Sequence, residues 1–163
     1  MEDYFELELE GGDLYKGQLN ADRTEFSGVG IFIKRDKYVA IGQLNRSKFE
    51  GLGAVLDLPE QALYLGQLAN SEKHGYGILR KYRAGNDARI LMDEAYRSNR
   101  DGFFELVDKW VGQAKQMETK ARKRSAKIQQ KLTQQADLKD VLKAIRMTVE
   151  EAKAKRKRRL PKS

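Results

Sequence analysis

The segment Leu63-Tyr64-Leu65-Gly66-Gln67-Leu68-Ala69-Asn70, continued by Lys73-His74-Gly75-Tyr76-Gly77-Ile78, is the best-formed copy of a pattern that runs three times through the chain. Its first half recurs upstream as Leu14-Tyr15-Lys16-Gly17-Gln18-Leu19-Asn20 and as Ala40-Ile41-Gly42-Gln43-Leu44-Asn45. Its second half recurs as Gly28-Val29-Gly30-Ile31 and Gly51-Leu52-Gly53-Ala54, so that the glycine marks step by 23 and 24 residues. A fixed period of this length is the signature of a repeat architecture. A weaker fourth unit is expected over Leu91 to Leu106, where Asp101-Gly102-Phe103-Phe104 aligns with His74-Gly75-Tyr76-Gly77 and the Gly of Gly-Gln-Leu is lost.

Between the glycine marks the side chains alternate, as in Tyr4-Phe5-Glu6-Leu7-Glu8-Leu9 and Gly28-Val29-Gly30-Ile31-Phe32-Ile33. Turn-forming residues at Gly11-Gly12, Arg35-Asp36-Lys37 and Leu58-Pro59-Glu60 separate these runs. Period-two alternation bounded by such residues predicts short strands joined as hairpins. Glycine repeated at one place in every unit has a steric meaning, because strands approach closely only where no Cβ intervenes, or the turn demands positive φ. One hairpin is too small to be stable by itself, so the apolar residues of each unit must pack on its neighbours.

The pattern resembles the MORN family, whose repeat of about 23 residues reads roughly Tyr-x-Gly-x-Trp, a polar linker, then His-Gly-x-Gly. The positions that carry the resemblance are Tyr15, Gly17, Gly28, Gly30, Gly42, Gly51, Gly53, Tyr64, Gly66, His74, Gly75, Tyr76 and Gly77. Leu replaces the usual Trp in all three units, Ala40 stands where Tyr is usual, and the first unit has two extra linker residues. The resemblance spans Leu14 to Leu106. It implies an elongated antiparallel sheet used as a protein-interaction surface, often in cytoskeletal, ciliary or membrane-apposed assemblies, and it implies no catalysis.

Composition divides the 163 residues into two parts. Met1 to Trp110 holds 15 basic and 19 acidic residues, a net of -4, whereas Val111 to Ser163 holds 17 and 5, a net of +12. Glycine and aromatic residues share that boundary, since 13 of 14 Gly and every Tyr and Phe precede Gly112. From Gln113 to Leu160 neither Gly nor Pro occurs, and good helix formers dominate. Val107, Trp110, Ala114, Met117, Ala121, Ile128 and Leu132 recur at three-four spacing with a polar gap at Arg124, which predicts an amphipathic helix. Gly112 weakens it and is a candidate hand-over from the repeats. Asp137 is a candidate N-cap of a second helix with Leu138, Val141, Leu142, Ile145, Val149 and Ala152 on one face. That face either docks on the rest of the chain or binds a partner.

The expected class is therefore α+β: a hairpin-repeat sheet over residues 1–106, a helical arm over 107–154 and a basic tail over 155–163. In the tail region, Lys153, Lys155, Arg156, Lys157, Arg158, Arg159 and Lys162 crowd seven positive charges into ten residues. Such self-repulsion is relieved by an anionic partner, and acidic tubulin tails, nucleic acid, anionic lipid or a nuclear-import receptor all fit the motif.

Chemistry is constrained by what the chain holds. There is no cysteine, which removes disulfides, thiolate metal sites and Cys nucleophiles and points to a reducing compartment. His74 is the single histidine, and it is read as packing in a repeat turn. The Gly-x-Gly elements lack the further residues of a phosphate loop and recur at the repeat period, so they are read as structural. Tyr15, Tyr64, Tyr76, Phe32 and Phe103 are read as packing between hairpins rather than as base-stacking groups. Asp93 and Glu94, placed on a strand, would face opposite sides and form no carboxylate pair. No cofactor, metal or catalytic residue is expected. The first ten residues, MEDYFELELE, carry five acids and no Lys or Arg, unlike a targeting leader, and no run approaches the ~18 apolar residues of a spanning helix.

The function expected is a non-catalytic scaffold in a cytoplasmic cytoskeletal or axonemal assembly, with protein subunits as partners. The alternatives are a ribosomal or nuclear protein that uses its basic arm on nucleic acid, and a peripheral adaptor that contacts phosphoinositides.

Overall fold

The computed structural model describes residues 3–81 and 86–159, with side chains described outside 86–88 and 157–159. Two compact units are present, Met1–Arg122 and Lys123–Ser163. The first contains seven strands, β1 (Phe5–Glu8), β2 (Leu14–Leu19), β3 (Phe26–Lys34), β4 (Tyr38–Asn45), β5 (Lys48–Asp57), β6 (Ala62–Ala69) and β7 (Glu72–Lys81). They form one antiparallel sheet in the order of the sequence. Two helices follow, α1 (Asn86–Arg97) and α2 (Arg100–Arg159), giving an α+β fold.

The repeats meet in register. Gly17 lies opposite Gly30, Gly30 opposite Gly42, Gly42 opposite Gly53, Gly53 opposite Gly66, and Gly66 opposite Gly77. Six glycines thus form an unbroken row across β2 to β7. A row without Cβ atoms is a trench on one face, and large neighbours lie down in it. A Cβ on Gly30 would stand 2.6 Å from the Tyr15 hydroxyl and 2.7 Å from Leu44 Cδ1, while one on Gly77 would overlap the Tyr64 ring. Tyr15 is completely buried by this means, although its face carries no covering layer.

Each Gly-Gln-Leu element also carries a β-bulge, since the register shifts between Gly17 and Leu19, Gly42 and Leu44, and Gly66 and Leu68. The bulged glutamines reach across to the next strand. Gln18, Gln43 and Gln67 accept through Oε1 from the amides of Val29, Leu52 and Tyr76 at 3.0, 2.8 and 3.0 Å. Gly75, at φ +61°, sits directly under the Gln67 amide, so a side chain there would be both strained and in collision. The turns Arg46-Ser47 and Asn70-Ser71 adopt positive φ at both residues, the geometry favoured in two-residue hairpins. Ser47 and Ser71 each accept through the hydroxyl from an amide of the preceding repeat, Phe26 and Phe49, both at 3.0 Å.

The opposite face is covered. Ile31, Ile33, Val39, Ile41, Leu56, Leu63 and Leu65 bury Leu91 and Ala95 of α1 and Phe103, Val107, Trp110 and Met117 of α2. Asn99 accepts through Oδ1 from the Gly102 amide at 3.2 Å and so caps the start of α2.

Three expectations are corrected. The fourth repeat over Leu91 to Leu106 is not a hairpin, because the sheet ends at Lys81 and these residues lie in α1 and the start of α2. The reason is packing: Leu91, Ala95, Phe103, Leu106, Val107 and Trp110 recur at helical spacing and cover the sheet, and without the Gly of Gly-Gln-Leu the segment cannot extend the trench. Asp93 and Glu94 accordingly sit on a helix, where Glu94 accepts from Lys109 Nζ at 2.7 Å and Trp110 Nε1 at 3.2 Å. Nor does Asp137 start a new helix or Gly112 mark the hand-over from the repeats, since α2 runs through both; extending a helix by a residue is easier than nucleating another.

Two glycine substitutions are expected to act with opposite sign. Gly53→Ala places a methyl 2.8 Å from Ile41 O and Leu68 Cδ1 and should cost about 1–3 kcal/mol, whereas Gly112→Ala meets nothing within 4 Å in a helix and should gain up to about 1 kcal/mol. Urea denaturation of both variants checks this.

Candidate interaction surfaces

The trench face of the sheet carries the first surface. Cross-strand register places Tyr15, Phe32, Ala40, Val55 and Tyr64 in one row beside the glycines. Tyr15 and Tyr64 occupy equivalent places in their repeats, and each donates its hydroxyl to the carbonyl three residues on, Gln18 and Gln67, at 2.6 Å. Burial pushes both phenols above their ordinary range, so they remain protonated donors. In the middle unit that place belongs to Ala40. Ala40 is itself buried, and beside it lies a groove of about 380 Å³ lined among others by Phe32, Tyr38, Phe49, Val55 and Leu68.

Aromatic stacking shapes the wall of this groove. Phe26 lies flat on Tyr15 with centroids 3.8 Å apart, Phe32 follows at 6.4 Å, and Tyr38 stands 5.8 Å beyond it. Phe26, Phe32, Tyr38 and Val55 are only half-buried. The two serines at the rim, Ser47 and Ser71, already accept from backbone amides. Lys48 and Asp57 line the groove as well, the Asp57 carboxylate accepting from the Glu60 amide at 3.1 Å, so apolar contact is combined there with two charged groups.

Tyr15, Tyr64, Phe32 and Phe103 were expected to pack between hairpins; Tyr15 and Tyr64 are buried on the sheet, whereas Phe103 is buried as part of α2 and not of a hairpin. Tyr76 is instead 38 % exposed, with the Arg122 guanidinium 5.5 Å above its ring. The His74 side chain is exposed rather than packed, and only its carbonyl takes part, accepting from Tyr64 at 3.4 Å. The glutamine clamps were missed, although Gln recurs in all three units beside the glycine that was noticed. Lys16 was missed as well. It lies on the helix-covered face, in the cross-strand row of Ile31 and Ile41, and its ammonium donates to the carbonyls of Ala95, Tyr96 and Ser98 at 3.0, 2.8 and 2.8 Å. This closes the C-terminal end of α1, where a cation is favoured. Burial pushes its pKa down, and the nearby Glu6 charge pulls it back up.

The second surface belongs to the unit Lys123–Ser163. Leu138, Val141, Leu142, Ile145 and Val149 are between 46 and 59 % exposed, as are Ile128, Leu132 and Met147. Lys153, Lys155 and Arg156 continue α2 with exposed side chains. Lys157, Arg158 and Arg159 belong to the same helix by backbone, and Lys162 lies outside the described residues. Among the described residues, no group of three His, Cys, Asp or Glu is placed to hold a metal ion, and no helix is long and apolar enough to cross a membrane. No family model matches the chain, and no curated protein matches it.

Lys16→Met is expected to lower stability by about 1–3 kcal/mol, because it takes a donor from the part-buried carbonyls of Tyr96 and Ser98 and leaves Ala95 O only the Ser98 hydroxyl. A reduced urea midpoint at unchanged slope checks it, and an unchanged midpoint would remove Lys16 from the account.

Proposed function

We propose that this chain is a non-catalytic scaffold in which a MORN-type repeat sheet presents a groove to a protein partner and the helical arm attaches the molecule to a larger assembly. The observation that carries the reading is the groove beside Ala40. Repeats on either side carry a tyrosine at the equivalent place, whereas here the smaller Ala40 borders a groove lined by Phe32, Phe49 and Val55 together with Lys48 and Asp57. The covered face of the sheet is occupied by α1 and α2 and serves stability. On the resemblance of the repeats, the assembly proposed is cytoskeletal or axonemal, and the arm is proposed to run along an acidic protein surface such as a tubulin tail.

Ala40→Tyr is the discriminating variant, since it supplies the ring that Tyr15 and Tyr64 supply in their own units. It is expected to keep or raise the melting temperature and to lose partners that wild type retains in affinity capture at gentle salt, read by mass spectrometry. Capture of the same proteins at the same yield would overturn the groove as the binding surface. Release of the captured material by nuclease would favour the basic arm acting on nucleic acid.

A further inference from the structure

The unpartnered face of α2 has a chemistry that selects its occupant. Leu138, Leu142, Ile145 and Val149 follow one another at intervals of four, three and four, the alternation of core positions in a coiled coil, and all are exposed. One place after Leu138, Ile145 and Ala152 stand Lys139, Arg146 and Lys153, seven residues apart along one flank. The other flank carries Val141, Thr148 and Lys155.

A second copy of this chain does not satisfy that arrangement. Parallel pairing sets Lys139, Arg146 and Lys153 against Gln134, Val141 and Thr148, none of them acidic, and antiparallel pairing sets the cations against each other. Residues 123–163 hold 14 basic and 4 acidic side chains, so two copies also repel as wholes. A phosphate polymer would neutralise the cations but leave the apolar row wet. A bilayer-surface helix is built with a broad apolar face and aromatic anchors, whereas no aromatic follows Trp110 and Asp137, Asp140, Glu150 and Glu151 interrupt the polar side.

We propose that residues 138–153 of α2 pair with an acidic amphipathic helix of another protein, whose apolar seam covers Leu138, Leu142, Ile145 and Val149 and whose Glu or Asp side chains face Lys139, Arg146 and Lys153. The inference rests on the scaffold reading in taking the arm as an attachment site, and it adds the class of partner. Complementary flanking charge sets partner choice in such pairings, while the seam supplies the attraction.

Two labelled designed helices of about 21 residues serve as probes, both with Ile and Leu in the seam, one with Glu and the other with Lys on the flanks. Binding to the full chain is followed by fluorescence anisotropy. The acidic probe is expected to bind at least about tenfold more tightly than the basic one, with a preference that shrinks as salt rises. The triple variant Lys139→Glu, Arg146→Glu, Lys153→Glu should reverse the preference, and Leu142→Asp with Ile145→Asp should abolish binding of both probes; unchanged circular dichroism at these exposed positions confirms intact variants. Equal binding of the two probes, a preference that survives charge reversal, or tighter binding to phosphatidylcholine–phosphatidylserine vesicles than to the acidic probe would overturn the proposal. If the acidic probe fails while wild type still captures proteins through the Ala40 groove, the partner class falls and the scaffold reading stands.

Discussion

The row of glycines from Gly17 to Gly77 is the constraint on which the other features depend. A sheet normally buries a face by laying another layer across it. Here one face is partly buried by its own residues, because six strands in succession lack a Cβ at the same level and Tyr15, Leu44, Tyr64 and Leu68 fold down into the space. The strands are fixed in register by the same row, since sliding a strand out of place would drive a side chain into a neighbouring backbone. The bulge that follows Gly17, Gly42 and Gly66 is held by a glutamine amide, so the Gly-Gln-Leu element sets close approach, register and clamp together.

Freed from the need for a second covering layer, the chain spends its helices on one side alone. Leu91, Phe103, Val107 and Trp110 close the apolar face, and Lys16 ties β2 to the end of α1 through three carbonyls. At the same row in the other repeats stand Ile41 and Leu65, which shows how one substitution converts a core position into a helix cap. The same logic governs the opposite face, where Ala40 in place of Tyr borders a groove.

Much of this was legible in the residues. The Gly-Gln-Leu and Gly-x-Gly elements announced hairpins at the period found, because a steric requirement repeats with the structure that imposes it. The helical nature of residues 91–106 was hidden by a chance alignment of Asp101-Gly102-Phe103-Phe104 with a true repeat, even though Leu91, Ala95, Phe103, Val107 and Trp110 already kept helical spacing. A continuous α2 was obscured by local signals at Gly112 and Asp137, each weaker than the propagation of a long helix around it. Lys16 gave no signal of its own, since its partners lie about eighty residues away and are backbone atoms. The groove is intermediate: Ala40 was visible as a departure from the pattern, but only the structure revealed the groove beside it.

The proposed scaffold would use both surfaces when bound. Hydrogen–deuterium exchange of the full chain, free and in the assembly recovered at gentle salt, measures this directly, because amides beneath a bound partner gain protection. New protection is expected around Phe32, Ala40 and Val55 on the sheet and along residues 138–149 of α2. Protection confined to the basic residues beyond Lys153, with both apolar surfaces exchanging as in the free protein, would contradict it.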